Sequence, residues 1–299
     1  MPGPLRGKPA PLNEIGLEDV AAKPAATAAR RRPPHRQTRL GQALSDIGRG
    51  AAQWWVWSAM AWEDIRPSYR GSILGPFWLT FSMAVMIATL GVVYSTIFRA
   101  KVHTYLPFLT LGLLLWTFIA SVVTEGCNCF IGAEAIIRQV RMPFTTHVFR
   151  VLYRNLIVLG HNAVVYLAVA LWFAVPIDAR ALLAVPGLAL EIVNGIWVCL
   201  LLGMLSARFR DIVPIVASVI QIVFFTTPIL WLPASLNGHY RWIVDCNPIY
   251  ALLEIVRAPL LGHRVPAALW GLSLATTIAG WAITLAAFAR FRARIPFWV

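Results

Sequence analysis

The chain has 299 residues, of which 59% are apolar and only 13% are charged. A soluble globular protein carries about 25% charged residues. Several stretches of this chain hold no charge over the length of a membrane helix, and these indicate a membrane protein. The net charge of +13 would point to nucleic acid only in a soluble chain. Composition therefore excludes an ordinary cytosolic enzyme, a disordered chain and a disulfide-stapled secreted domain.

The first 50 residues are rich in Pro, Ala and Arg and include the run Arg30-Arg31-Arg32-Pro33-Pro34. They lack the roughly 7–15 consecutive apolar residues of a secretory signal peptide. We predict a disordered cytoplasmic tail over residues 1–50. Contact of this basic tail with anionic lipid head groups is the alternative to a merely solvated tail.

Residues 51–66 crowd four tryptophans into one short stretch, and apolar side chains recur there at helical spacing. Tryptophan favours the membrane–water interface because its ring is apolar while its N–H stays hydrated. We predict an amphipathic interfacial helix and a linker over residues 51–73. A helix buried in a soluble domain is the alternative.

The remaining residues, 74–299, are predicted to form an all-α transmembrane domain. Six apolar stretches are each long enough to cross a hydrocarbon core of about 30 Å. The predicted spans cover residues 74–98, 106–124, 156–175, 181–207, 212–232 and 267–289.

Basic residues near the spans fix the predicted orientation. With both termini in the cytoplasm, 11 lie on the inner side and six on the outer side. The inner set is Arg66, Arg70, Arg138, Arg141, Arg150, Arg154, Arg208, Arg210, Arg290, Arg292 and Arg294, and the outer set is Arg99, Lys101, Arg180, Arg241, Arg257 and Arg264. The excess of positive charge on the inner side predicts cytoplasmic termini.

Two connections between spans are long. The inner one, over residues 125–155, is predicted to hold a short helix at 133–140. The outer one, over residues 233–266, contains an apolar stretch at 248–261 that Pro259 interrupts before it is long enough to span. We predict re-entrant or interfacial helices there. Glu254 and Arg257 lie three residues apart and are spaced to pair on one helix face.

No motif of enzyme chemistry appears in the chain. It contains no G-x-S-x-G, no H-E-x-x-H and no phosphate-binding glycine loop, so we expect no catalytic site, no cofactor and no ATP site of its own. The pair Cys127 and Cys129 is half of a possible metal site, but no cluster of ligands lies beside it. Small packing residues are the preferred interpretation.

Two polar positions inside the predicted spans stay open. Glu191 lies near mid-span with Asn194 three residues on, and His161 lies in the third span. A carboxylate inside a membrane marks either a coupling site or a hydrogen-bonded structural group at a subunit seam.

Aromatic side chains recur within the predicted spans. Sugar rings have apolar C–H faces that stack on aromatic rings, so an aromatic-lined path suits a glycan. Contact with lipid or with a neighbouring helix is the alternative for each of these residues. The candidates are Phe77, Trp78, Phe81, Trp116, Phe224 and Phe225.

Several short segments together resemble one family. They are the stretch from Asp64 to Thr80 (DIRPSYRGSILGPFWLT), Arg208-Phe209-Arg210-Asp211-Ile212, Thr227-Pro228-Ile229-Leu230-Trp231, and Asn247-Pro248-Ile249-Tyr250 followed by Glu254, Arg257 and Leu260-Leu261-Gly262. Their order and spacing over residues 50–299 resemble the ABC-2 type permeases that export polysaccharides. The O-antigen permeases are the most similar, with capsule and teichoic-acid permeases as cousins. Met142 stands before Pro143 where many relatives have Phe.

The resemblance implies a permease subunit in a bacterial inner membrane. Two copies would form a homodimer, two separate ATPase subunits would dock on the cytoplasmic face, and the substrate would be a lipid-linked polysaccharide. It further implies ATPase coupling at Glu134, Arg138 and Arg141; contact with a lipid pyrophosphate at Arg66, Tyr69 and Arg70; and an outer gate at Asn247, Pro248, Glu254 and Arg257.

Three alternatives stay open beside this interpretation. Ordinary head-group anchoring is the alternative role for the three residues assigned to the pyrophosphate. An ABC-2 permease for a small lipid or drug, and a membrane glycan polymerase or ligase, are the alternative functions.

Overall fold

A computed structural model describes residues 38–69, 77–176, 178–233 and 238–299. Within these ranges the chain is helical and contains no strand. The α-helices are α1 (Arg39–Ala52), α2 (Trp54–Tyr69), α3 (Phe77–Ile97), α4 (Val102–Asn128), α5 (Glu134–Gln139), α6 (Thr145–Trp172), α7 (Ala184–Arg208), α8 (Ile212–Thr226), α9 (Trp242–Asp245), α10 (Pro248–Leu260), α11 (Ala267–Phe291) and α12 (Ile295–Trp298).

Five of these helices are long and apolar enough to cross a membrane, namely α3, α4, α6, α7 and α11. They fall on five of the six predicted spans, so the polytopic all-α prediction is confirmed at this level. The largest difference in bounds is in α6, which begins at Thr145 rather than at residue 156. The inner connection is correspondingly shorter, and α5 lies within the helix predicted at 133–140.

The prediction of one continuous helix over residues 212–232 is wrong. Helix α8 has 15 residues and ends at Thr226, because Thr227 is extended, with φ −91° and ψ 136°. The residue before a proline is driven out of the helical region by the proline ring, and Pro228 follows here. A 15-residue helix is about 22 Å long, short of a hydrocarbon core of about 30 Å.

The prediction of disorder up to residue 50 is also wrong for its last part. Helix α1 covers Arg39–Ala52, and the Thr38 hydroxyl caps it by accepting a hydrogen bond from the Gly41 amide at 3.1 Å. One face of α1 is buried against α6, which supplies the tertiary stabilisation that composition does not reveal. The part of the tail before residue 38 lies outside the described residues.

Helix α4 is the centre of the bundle. It packs against α3, α6, α7, α8 and α10. Its most apolar stretch is 72% buried within the chain, against 17% for that of α3. In α8 no residue is buried within the chain. Apolar surface on α3 and α8 is therefore left for lipid or for another protein.

Helix α10 lies in the predicted outer connection and is nevertheless mostly buried. It packs on α7 and α11. Gly187 of α7 permits the close approach, because a Cβ atom there would lie 2.8 Å from the Ile255 carbonyl oxygen. The packing of this apolar 13-residue helix against the bundle accounts for the hydrophobicity of the connection.

Candidate functional site

A network of four charged side chains joins three helices at the end of the bundle that is predicted to face the cytoplasm. Arg150 of α6 donates two hydrogen bonds to the carboxylate of Asp64 of α2, and the bond from Nε to Oδ2 is 2.6 Å long. Arg154, one turn further along α6, reaches Asp64 at 3.3 Å and Glu125 of α4 at 2.6 Å. The Asn155 amide donates a second bond to Glu125 at 2.6 Å. Two arginines thus neutralise two carboxylates.

This network, Asp64–Arg150–Arg154–Glu125, borders a cavity of about 390 Å³. Its side chains are only partly exposed, so salt screens them less than surface charges. The geometry links any movement of α2 to α4 and α6. Sequence reasoning missed the network, although the available signals were Arg150 and Arg154 at i, i+4 and the acidic pair Glu63 and Asp64 in the predicted interfacial helix.

Cys127 and Cys129, which are predicted to be small packing residues, are both buried. Cys129 lines the same cavity but is itself buried, and burial raises the pKa of its thiol. A raised pKa keeps the thiol protonated and unreactive. Among the described residues no group of three potential ligands is placed to hold a metal ion.

The residues assigned to a lipid pyrophosphate are only partly described. Arg66 is exposed on α2 and pairs with Glu63 of the same helix at 3.1 Å. The side chain of Tyr69 and the whole of Arg70 lie outside the described residues. Helix α2 also carries the exposed tryptophans Trp54, Trp55 and Trp62, which places a basic group on the same helix as exposed aromatic rings.

The three coupling candidates fall at two places. Glu134 and Arg138 pair on α5 at 2.9 Å, and Arg138 also donates to the Val299 backbone oxygen at 2.5 Å. Arg141 instead lines a polar cavity of about 240 Å³ together with Asp46 and Arg292. Helix α5 is therefore tied to the chain terminus, while Arg141 belongs to a neighbouring cluster.

Asp46 is the anchor of that neighbouring cluster. It is 1% exposed, and its carboxylate accepts hydrogen bonds from Phe144 N at 3.4 Å, Thr145 N at 3.2 Å, Thr145 Oγ1 at 3.0 Å and Arg292 Nε at 2.9 Å. These bonds fix α1 to the start of α6 and to the residues after α11. The sequence signal that could have found α1 is Leu40, Ala43, Leu44 and Ile47 at helical spacing.

The aromatic candidates form two groups. On α3, the rings of Trp78 and Phe81 lie 6.0 Å apart, and both are exposed, as is Phe77. Trp116 of α4 contacts Phe224 of α8 at 5.5 Å, and Phe224 contacts Phe225 at 5.3 Å. The first group thus offers free ring faces, while the second also packs α8 on α4.

The outer-gate candidates are brought together around the bend after α8. Arg257 is fully buried; it donates to the Pro228 carbonyl oxygen at 2.8 Å and to Glu254 at 2.8 and 2.5 Å, which confirms the predicted pairing. Its guanidinium also stacks on Phe108 at 3.9 Å from the ring centre.

Two further side chains hold the same bend. The Asn247 amide donates to Thr227 Oγ1 at 3.0 Å while its oxygen caps α10, in which Pro248 is the first residue. The Tyr105 hydroxyl of α4 donates to the Leu230 carbonyl oxygen. The short helix α8 is therefore followed by a bend that side chains of α4 and of the α10 region hold in place. We name the bend and these side chains the outer clasp (residues 227–230 with Tyr105, Asn247, Glu254 and Arg257).

Glu191 of α7 is the buried carboxylic acid among the buried polar residues whose side-chain atoms lack a hydrogen-bond partner within the described residues. Neither carboxyl oxygen has a hydrogen-bond partner within the described part of the chain. Its neighbour Asn194 is satisfied, since it donates to Thr277 at 2.7 Å and accepts from Trp197 at 2.8 Å. His161 Nδ1 lies 2.8 Å from the Ile157 carbonyl oxygen of its own helix. Within the described part of one chain Glu191 therefore has no hydrogen-bond partner, and both interpretations of it, a coupling site and a structural group at a subunit seam, stay predictions.

The family model and the curated relatives that match this chain point to the same kind of protein. The family model described as ABC-2 type transporter matches residues 43–261. Two O-antigen export system permease proteins RfbA of Klebsiella pneumoniae are similar: one is 22% identical over 74% of this chain and 87% of its own length, and the other is 23% identical over 64% and 74%. The RfbA permease of Myxococcus xanthus is 22% identical over 74% of this chain and 86% of its own length. Matched over most of its length, this all-helical membrane chain belongs to the ABC-2 type transporter family.

Proposed function

We propose that this chain is the permease subunit of an ATP-driven exporter that moves a lipid-linked polysaccharide, similar to O-antigen, across the bacterial inner membrane. The observation that carries the proposal is the match to O-antigen export permeases along most of the length of both chains. The family match covers the interfacial helix α2 and the outer clasp as well as the helices between them.

The apolar surface that one chain leaves uncovered supports a homodimer. Helix α8 buries no residue within the chain, and the most apolar stretch of α3 is only 17% buried. The two helices carry all of the aromatic candidates except Trp116, which is on α4. Two copies meeting along these helices would place Phe77, Trp78, Phe81 and Phe225 towards a shared path, where rings bind sugar faces without holding them tightly.

Two copies of a separate ATPase subunit would dock on the inner face at α5. The pair Glu134–Arg138 is well exposed there, while the helix is tied to Val299. The Asp64–Arg150–Arg154–Glu125 network would pass a displacement to α2, α4 and α6 as a rigid movement. In this arrangement both termini are cytoplasmic, and α8 with the outer clasp completes the fifth of six crossings.

Loss of export tests the function directly. Deletion of the gene should abolish the surface polysaccharide and leave lipid-linked glycan on the cytoplasmic side, and the intact chain should restore the surface polymer. Surface polymer measured by gel and glycan labelling at normal levels in the deletion strain would contradict the proposal. Export of a small lipid or drug, with polymer unaffected, would favour the alternative permease.

A substitution on α5 tests the coupling. Arg138→Ala should lower export by about tenfold or more, because a lost contact of about 1.4 kcal/mol with the ATPase weakens coupling to that extent. The matched control is Arg180→Ala, which removes an exposed partner of Asp178 on the outer side and should leave export unchanged. Equal export by both variants, measured at equal expression, would remove the coupling role.

The pyrophosphate contact has its own test. The double variant Arg66→Ala and Arg70→Ala removes two guanidinium groups that would bind phosphate oxygens. Export should fall while the chain still inserts and assembles, since Arg66 is exposed. Undiminished export by the double variant would assign these arginines to head-group anchoring instead.

A further inference from the structure

Glu191 faces a small internal cavity that the proposed export path does not use. The cavity measures about 170 Å³ and lies between α4, α7, α10 and α11. Its walls are mostly apolar, with Phe118, Val122, Trp197 and Leu252 among the lining residues. Glu191 is 3% exposed and is one of the residues that line this space, and its two carboxyl oxygens are buried.

The polar side chains that line the cavity have hydrogen-bond partners, with the exception of Glu191. Asn194 uses its amide nitrogen and its oxygen, and Thr276 donates to the Leu272 carbonyl oxygen at 2.9 Å. In the described lining, only the two oxygens of Glu191 have no partner. A buried polar group without a partner costs free energy, so a complementary donor inside the cavity would be strongly favoured.

The chemistry of the walls selects the kind of donor. The described lining contains no cationic side chain, so an anionic ligand would find no partner of opposite charge there. A metal ion prefers several oxygen ligands, and the lining supplies one carboxylate. An organic ammonium ion suits the site better, because its N–H groups bond a carboxylate, its apolar body fits the walls, and the rings of Phe118 and Trp197 attract cations.

We propose that Glu191 and this cavity form a binding site for a compact organic ammonium ion. Size limits the ligand, because an apolar cavity of about 150 Å³ accommodates one benzene molecule. An ammonium ion of about six to eight non-hydrogen atoms therefore fits. The occupant would contact α4, α7, α10 and α11 at once, and this inference is independent of the exported substrate.

Calorimetry on the full-length chain in nanodiscs of uncharged lipid tests the proposal. The probe is cyclohexylammonium chloride, and cyclohexanol is the neutral ligand of the same ring size. Cyclohexylammonium should bind once per chain, at least about tenfold more tightly than cyclohexanol, and should raise the melting temperature. An absence of saturable binding, or equal affinity for the two probes, would overturn the proposal.

Two variants assign the binding to the carboxyl group and to the cavity. Glu191→Gln should weaken cyclohexylammonium binding by about tenfold or more, because the charge is lost while the shape is kept. Leu252→Phe should abolish binding by filling the cavity, whereas Asp178→Asn, which removes an exposed carboxylate, should have no effect. Unchanged affinity in a folded Glu191→Gln chain would contradict the assignment; where that variant fails to fold, Leu252→Phe and the two wild-type probes decide.

Discussion

Arg257 is fully buried, and three kinds of group surround its guanidinium. It meets a carboxylate, a backbone carbonyl oxygen and an aromatic face. A buried cation is tolerated only when its hydrogen bonds and its charge are both matched, and here Glu254, Pro228 and Phe108 do so. One residue therefore fixes both α10 and the bend after α8.

Replacing Arg257 should destabilise the whole chain. Arg257→Met keeps the side-chain bulk but leaves the Glu254 carboxylate and the Pro228 carbonyl oxygen unpaired, so we expect a loss of about 3 kcal/mol. The matched control is Arg241→Met, which removes an exposed partner of Asp245 and should cost under about 1 kcal/mol. Thermal unfolding in detergent measures both, and equal melting temperatures would show that the outer clasp does not need Arg257.

At the scale of elements, the docking of α1 on α6 depends on a glycine and a carboxylate. A Cβ atom at Gly50 would lie 2.2 Å from Thr145 Oγ1, so only glycine allows the two helices to approach this closely. Asp46, one turn earlier, then reaches the backbone amides of Phe144 and Thr145. The close approach of α1 to α6 at Gly50 and the buried hydrogen bonds of Asp46 therefore depend on each other.

A bulky side chain at Gly50 should release α1. Gly50→Val is expected to separate α1 from α6 and to expose the segment to protease, because Thr145 has no room to retreat while bonded to Asp46. Gly48→Val on the same helix is the matched control, since a Cβ atom there meets nothing within 4 Å. Limited proteolysis should cut the first variant faster; equal cleavage of both would argue against the docking.

At the scale of the whole molecule, the proposed topology places Cys246 on the side opposite the termini. Cys246 is exposed, whereas Cys127, Cys129 and Cys199 are buried. A membrane-impermeant maleimide should therefore label intact cells at Cys246 alone, and Cys246→Ser should abolish the labelling. Labelling of Cys246 only in inverted membrane vesicles would place this residue on the cytoplasmic side and would contradict the proposed topology.

Local patterns in the sequence were sufficient to predict most of the membrane spans, one ion pair and the family of this protein. Long uncharged stretches predicted five of the spans, because a hydrocarbon core accepts only helices whose side chains are apolar. The i, i+3 spacing of Glu254 and Arg257 predicted their pairing, since these positions share a helix face. Short segments in a fixed order predicted the family, which the comparison then showed.

Other features were decided by contacts between residues far apart in the chain. Composition marked residues 39–50 as a disordered tail, yet Asp46 binds Thr145 and Arg292 and holds α1 in place. Three further features depend likewise on which helices meet. They are the Asp64–Arg150–Arg154–Glu125 network, the end of α8 at Thr226 just before the outer clasp, and the unpaired carboxyl group of Glu191. Local periodicity determines which segments are helical and apolar; tertiary packing alone determines which buried polar groups find partners.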